Sequence, residues 1–109
     1  EDYLRIAKTI MKDYKSDSCI GDYLRTIYEN RVDKKKKEYV SNKGVAQYSR
    51  QYGGQFHFPK VGNNVVFGMD GYAGQQVIID ITKGRIVIIH TIDQHYNWKK
   101  IALNVIKQK

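Results

Sequence analysis

The run Gly68-Met69-Asp70-Gly71-Tyr72-Ala73-Gly74-Gln75 holds the residues best suited to chemistry in this chain, and it opens directly into Gln76-Val77-Ile78-Ile79-Asp80. Glycines recur at every third position. Glycine adopts positive φ at little cost and lets another group come close to the backbone, so such a cluster before a strand marks a ligand-facing strand edge. Asp70, lying between Gly68 and Gly71, is the one acid whose setting points to function: a flexible bend could aim it at a substrate, or it could form a turn by bonding its own backbone. Other combinations carry less. His57, His90 and His95 lack the close spacing of a metal site and Cys19 is remote from them, so neither a metal nor a cofactor is expected. His90 alternates with isoleucines and reads as a structural histidine. Ser49, His95 and Asp93 supply the residue types of a nucleophilic triad, a combination that any chain of this size offers.

From Gly68 onward the chain resembles a known family. The pattern G-x-x-G-x-x-G-Q, followed by a Val/Ile-rich strand, a Lys-Gly turn and a second apolar strand, resembles the end of penicillin-recognising serine hydrolases: class C β-lactamases, D-alanyl-D-alanine carboxypeptidases and related esterases and amidases. Arg85 to His90 resembles the family's penultimate strand. Asp93 to Ile106, with Tyr96, Trp98 and Lys99-Lys100, resembles its closing helix, and residues 1–33 match as the helix pair that precedes those strands.

That family works through a serine in S-x-x-K, where a lysine one helical turn on helps to take the serine proton. The chain has no such element: the four serines read Ser16-Asp17-Ser18-Cys19, Ser18-Cys19-Ile20-Gly21, Ser41-Asn42-Lys43-Gly44 and Ser49-Arg50-Gln51-Tyr52. No catalytic residue is therefore expected in it. The second element, Y-x-N, has a literal match in Tyr28-Glu29-Asn30, but on a predicted helix rather than the family's loop. The third, K-T-G or H-T-G, falls on Val66-Phe67-Gly68 when counted back from Gly71 and Gly74; the glycine is kept and the cation is lost, as in esterase and amidase relatives. The resemblance then implies that Gly68, Met69, Asp70, Gly71, Gly74 and Gln75 line a substrate pocket, with the Met69 N–H as an oxyanion-hole donor.

Composition fits one domain. The chain has 109 residues, 41% of them hydrophobic, and domains commonly run about 100–150 residues. Its single cysteine allows no internal disulfide, and Cys19, beside Ile20, reads as a small buried hydrophobe. No stretch reaches the roughly 20 apolar residues that span a bilayer. The opening residues resemble no signal peptide and lie inside an amphipathic helix, which reads as a fragment of a longer product; a periplasmic or secreted home is what the resemblance implies. The net charge of +8, from 19 basic and 11 acidic residues, raises the question of nucleic acid. Its distribution argues otherwise. Lys34 to Lys37 form the one dense run, flanked by Asp33 and Glu38 as in a solvated loop, and Tyr48, Tyr52, Phe56 and Phe58 read as cross-strand pairs on one sheet rather than base-stacking residues.

These residues must be positioned by regular elements. Tyr3, Ala7, Ile10, Met11 and Tyr14 form one helical stripe. A second helix is predicted after a cap at Asp17 or Ser18, burying Ile20, Leu24, Ile27 and Tyr28 and fading near Val32. A basic loop is expected over 34–46, then a strand over about 47–58 broken at Gly53-Gly54 and stopped by Pro59. After a turn at Gly62-Asn63-Asn64, strands are predicted at 65–69, 75–81 and 85–91, the last two joined by a tight hairpin at Thr82-Lys83-Gly84. Their near-continuous Ile and Val predict a sheet covered on both faces. A closing helix puts Trp98, Ile101, Ala102, Val105 and Ile106 on one face.

The expectation is thus α+β: an antiparallel sheet of about four strands with two N-terminal helices and a C-terminal helix packed on it, a partial β-lactamase-like α/β domain. The resemblance implies that a missing part supplies two more strands and the helix bearing the nucleophile, for action on a small amide or ester. That part, or self-association, would cover the apolar surface left open. The alternative is a small basic binding or scaffolding module using the Lys34 to Lys37 loop and the Tyr/Phe strand face.

Overall fold

The computed structural model describes residues 2–35, 49–71, 75–90 and 98–108. Helix α1 (Asp2–Tyr14) carries Asp2 in its first turn, where the positive end of the helix dipole favours an acid. Helix α2 (Cys19–Glu29) starts at Ser18, whose Oγ accepts the Gly21 N–H at 3.1 Å. Between them the chain turns back sharply, and Arg25 fastens the turn by donating to the carbonyls of Tyr14 and Ser16, which satisfies groups orphaned at the end of α1. Gly21 makes this approach possible: a Cβ there would lie 2.4 Å from the Ser16 carbonyl oxygen and 2.5 Å from that of Asp13.

The strands are β1 (Val32–Asp33), β2 (Gln51–Gly53), β3 (Phe56–Phe58), β4 (Val66–Asp70), β5 (Gln76–Asp80) and β6 (Arg85–Ile89), and helix α3 (Trp98–Ile106) follows. They form one six-stranded antiparallel sheet in chain order. The class is α+β, as the pattern predicts, with more strands than about four. The expected strand over 47–58 folds back on itself because Gly54 and Gln55 both take positive φ, 54° and 70°, the geometry of a two-residue hairpin turn. Val32, where α2 was expected to fade, pairs instead with Tyr52.

Pleating divides the sheet's side chains between two cores. Val66, Ile78 and Val87 pack with Val61 and with Ala102 and Ile106 of α3. Phe67, Val77 and Ile79 pack with Phe58 and with Ala7 and Leu24 of the helix pair. Both faces of β4–β6 are therefore covered, which accounts for the near-continuous Ile and Val of β5 and β6. At the centre of the second core Phe67 meets the rings of Tyr14, Tyr28, Phe56 and Phe58 at centroid distances of 5.7, 6.0, 5.0 and 5.1 Å. Burial pushes the Tyr14 phenol above its ordinary value, helped by Tyr28 and Glu29 and opposed by Arg25 and Arg31.

Several single positions differ from expectation. Ile20 is exposed because α2 turns Gly21 and Leu24 inward, and Cys19, in its first turn, is exposed as well. On α3 the seated pair is Ala102 and Ile106, leaving Ile101 and Val105 exposed. His90 is exposed rather than structural, its ring 5.1 Å from that of Tyr3. The aromatic set is divided between faces: Phe56 and Phe58 join the core, Tyr52 pairs across strands with His57, and Tyr48 lies outside the described residues.

Phe67→Ala should cost about 3–5 kcal/mol in a urea melt, since it empties a fully enclosed site. A raised phenol pKa means that the neutral Tyr14 form stabilises the fold at lower pH, and this contribution is lost as pH climbs through the raised value. Stability should accordingly fall as pH rises above about 10, and Tyr14→Phe should flatten that fall in thermal melts taken across the range.

Candidate functional site

Gly68 lies in the middle of β4, opposite Ile78 on one side and His57 on the other, so β4 at this point is an interior strand rather than a sheet edge. Two bonds fix its backbone register. The Ile81 N–H donates to the Val65 carbonyl and the Gly71 N–H to the Gln75 carbonyl, each at 2.9 Å. In an antiparallel ladder alternate residues turn their polar groups to the same neighbour. The odd-numbered residues, Met69 included, therefore direct N–H and C=O toward β5, and Gly68 and Asp70 direct theirs toward β3. Gly71 closes the ladder tightly: a Cβ there would meet the Gln75 side-chain oxygen at 2.6 Å. Gln75 is half-buried, its neighbour Gln76 is buried, and Gly74 lies outside the described residues together with Tyr72 and Ala73.

The side chains of the even-numbered residues stand on the α3 face. Because Gly68 has none, the ring of His57, opposite it, reaches diagonally to Asp70, with Nε2 at 3.3 Å from Oδ1. On the other side of the ring Nδ1 lies 2.9 Å from Nζ of Lys34. A lysine ammonium can only donate, so Nδ1 accepts and the ring hydrogen sits on Nε2, facing the Asp70 carboxylate. Tyr52 flanks the ring at 5.1 Å and donates its hydroxyl to the Gln55 side chain at 2.8 Å. The result is a chain from Lys34 through His57 to Asp70. Both imidazole nitrogens are engaged, so His57 in this state is no general base; it holds the carboxylate at the mouth of the glycine bend. The side chains of His57 and Asp70 are 17% and 21% exposed, open enough for a small molecule to touch them.

Asp70 and the glycines were legible candidates; Lys34 and His57 as their partners were not. A signal was present, because His57 stands between Phe56 and Phe58 in a strand, and alternation turns it away from the face that those rings occupy. The other candidates do not assemble among the described residues. Ser49 is enclosed, with an Oγ that meets no partner there, while Asp93 and His95 lie outside them. Tyr28 and Glu29 belong to α2 and Asn30 caps it, donating its side-chain amide to the Thr26 carbonyl. No group of three or more His, Cys, Asp or Glu gathers for a metal among the described residues, and none of the described helices is long and apolar enough to cross a membrane. Of the basic run, Lys34 is drawn onto His57, Lys35 is exposed, and Lys36 and Lys37 fall outside the described residues.

No protein-family model, curated protein or solved structure matches this chain.

His57→Ala removes the link between Lys34 and Asp70. It should destabilise the fold by about 1–2 kcal/mol and, more specifically, speed amide exchange at Gly71 by about tenfold relative to Ile78 and Ile79 in β5. Uniform exchange along β4 and β5 in the variant would show that the network does not hold the bend.

Proposed function

We propose that this chain forms one wall of a β-lactamase-like serine hydrolase site acting on an amide or ester, with the nucleophile supplied by polypeptide outside these 109 residues. The observation that carries this reading is the course of β4: it runs between two covered faces, presents side-chain-free Gly68 and then Asp70, and ends in the bend closed by Gly71 and Gln75. A helix pair, consecutive antiparallel strands and a closing helix on the opposite face follow the order that the sequence resemblance implies. The missing side chain at Gly68 lets the His57 ring lie across the strand, and Asp70, braced by it, sets the polarity of the wall. The Met69 N–H is directed into the β5 ladder, so an oxyanion donor in such a site has to come from another backbone or side-chain group than the one the resemblance implies. By itself the wall is inert. It has no S-x-x-K, and the imidazole beside the bend has both nitrogens occupied.

A partner segment also suits the far side of the sheet. Among the described residues β6 pairs only with β5, and by register the N–H groups of Ile86 and Ile88 point outward from the free edge. Both α1 and α3 contact β6, and each exposes apolar residues, Tyr3 and Ile6 on one and Ile101 and Val105 on the other. In this reading the nucleophile-bearing part docks by adding strands there; without it, two copies of the chain share the edge.

The reading frame that contains this segment should encode S-x-x-K upstream, and its product should take a fluorophosphonate or penicillin probe that the 109-residue chain does not. An initiator codon a few residues before Glu1 would overturn the proposal. In sedimentation velocity the isolated chain should associate with rising concentration. Ile88→Pro, which removes an outward N–H, should yield a folded monomer, whereas Val87→Pro, which removes an N–H bonded to β5, should unfold the sheet.

A further inference from the structure

A second site lies at the opposite end of β4, about 13 Å along the strand from Asp70 at ~3.3 Å per residue. After Pro59 the chain leaves the sheet, turns at Gly62 and re-enters at Val66, and the parting of β3 from β4 opens a cavity of about 270 Å³. Its lining is unlike the rest of the surface. Two cations, Arg31 and Lys60, share it with Gln51 and Asn63, and Tyr28 and Phe58 form an apolar back wall. No acid lines it. Two carboxylates bond to lining residues, that of Asp33 accepting from the Gln51 side-chain amide at 3.1 Å and that of Asp80 from the Asn64 side-chain amide at 2.9 Å.

Arg31 is held in a fixed pose. Its Nε donates to the Gln51 side-chain oxygen and its Nη1 to the Tyr28 carbonyl, each at 2.6 Å, and its guanidinium carbon stands 4.0 Å from the centre of the Tyr28 ring. Those bonds use two of the five guanidinium donors, and the Nη2 edge meets no partner among the described residues. A rigid guanidinium with a free edge is preorganised for planar, bidentate contact with an oxyanion, and its ordering cost is already met by the fold. At about 30 Å³ per water molecule the cavity has room for on the order of nine waters, enough for a phosphate and a small ring but not for a nucleotide.

We infer that this cavity binds a small phosphate monoester, its oxyanion on Arg31 and Lys60 and its apolar group against Phe58. The site is independent of the hydrolytic reading, since it shares no residue with the glycine bend.

The test is an amide and arginine-side-chain NMR titration of the 109-residue chain with phenyl phosphate, inorganic phosphate, benzoate and phenol. Phenyl phosphate should shift the Arg31 Nε–H and the Gly62 and Asn63 amides saturably. Inorganic phosphate should shift the same signals at higher concentration and phenol should not. Arg31→Ala should weaken phenyl phosphate about tenfold or more, and Arg31→Lys should restore only part of the loss because it keeps the charge without the fork. Lys60→Ala, at an exposed position that spares the fold if Arg31→Ala does not, should weaken binding severalfold. Shifts spread over remote exposed lysines such as Lys83, or unchanged affinity in both the Arg31→Ala and Lys60→Ala variants, would overturn the assignment. Benzoate binding as tightly as phenyl phosphate would overturn the preference for phosphate.

Discussion

Phe67 joins the helix pair to the sheet. It is fully enclosed, and its ring contacts come from α1 through Tyr14, from α2 through Tyr28, and from β3 through Phe56 and Phe58. Edge-to-face contacts with Tyr14, Phe56 and Phe58 and a stacked one with Tyr28 add to the burial of aromatic area and fix the rings relative to one another. Because the donors come from separate parts of the chain, the cluster cannot form until helices and strands have met, and it commits their spacing when it does. Ala7 and Leu24 complete the same core, Ala7 with a side chain small enough to let its helix sit close. The clamp of Arg25 on the end of α1 and the bare backbone of Gly21 serve that closeness.

The same pleat that buries Phe67 sets the candidate site. In β4 the odd-numbered positions give Phe67 and Met69 to the aromatic core, so the even-numbered ones give Val66, Gly68 and Asp70 to the other face. Sliding β4 by one residue against its neighbours would exchange these roles, placing Asp70 on the aromatic-core face and Phe67 on the α3 face. The energy that anchors the aromatic cluster therefore also pins the carboxylate to within reach of His57. Core packing and site geometry are one constraint expressed on two faces, which is why a polar chain of residues survives beside the apolar strands β5 and β6.

Much of this architecture was legible because the relevant signals are local. Helical spacing placed α1, Ser18 capped α2 as a hydroxyl ahead of an apolar run should, and unbroken Ile and Val correctly implied cover on both faces of β5 and β6. Pro59 stopped a strand and Gly84, at φ 69°, turned the last hairpin. Failures came where a tertiary choice decides. Whether Gly53-Gly54 kinks a strand or reverses it depends on a neighbour to pair with, and which of Ile101, Ala102, Val105 and Ile106 faces inward depends on how closely α3 approaches the sheet. Ala102 wins because a small residue lets the helix sit down, and Ile106 follows one turn later. The glycine bend and Asp70 could be read from spacing, but Lys34 and His57 reach that carboxylate through cross-strand register, which a single sequence does not display.

The position of the polar chain also follows from the reach of α3. The core beneath that helix draws its strand residues from β4, β5 and β6, together with Val61 from the β3–β4 connection. On the same face β1, β2 and β3 contribute Val32, Tyr52 and His57, of which Val32 is exposed and the other two are partly open. Their opposite face is covered, since Phe56 and Phe58 lie under α2. Among the described residues the sheet is thus three layers deep on one side and two on the other, and the step between them falls at Gly68 and Asp70. A ledge of this kind gives what a binding surface needs: a rigid floor fixed by a packed core below, a wall formed by the end of the covering layer, and polar groups whose partners are set by register rather than by mobile loops. The carboxylate of Asp70 lies on that ledge because the strand carrying it is the last one that both layers share.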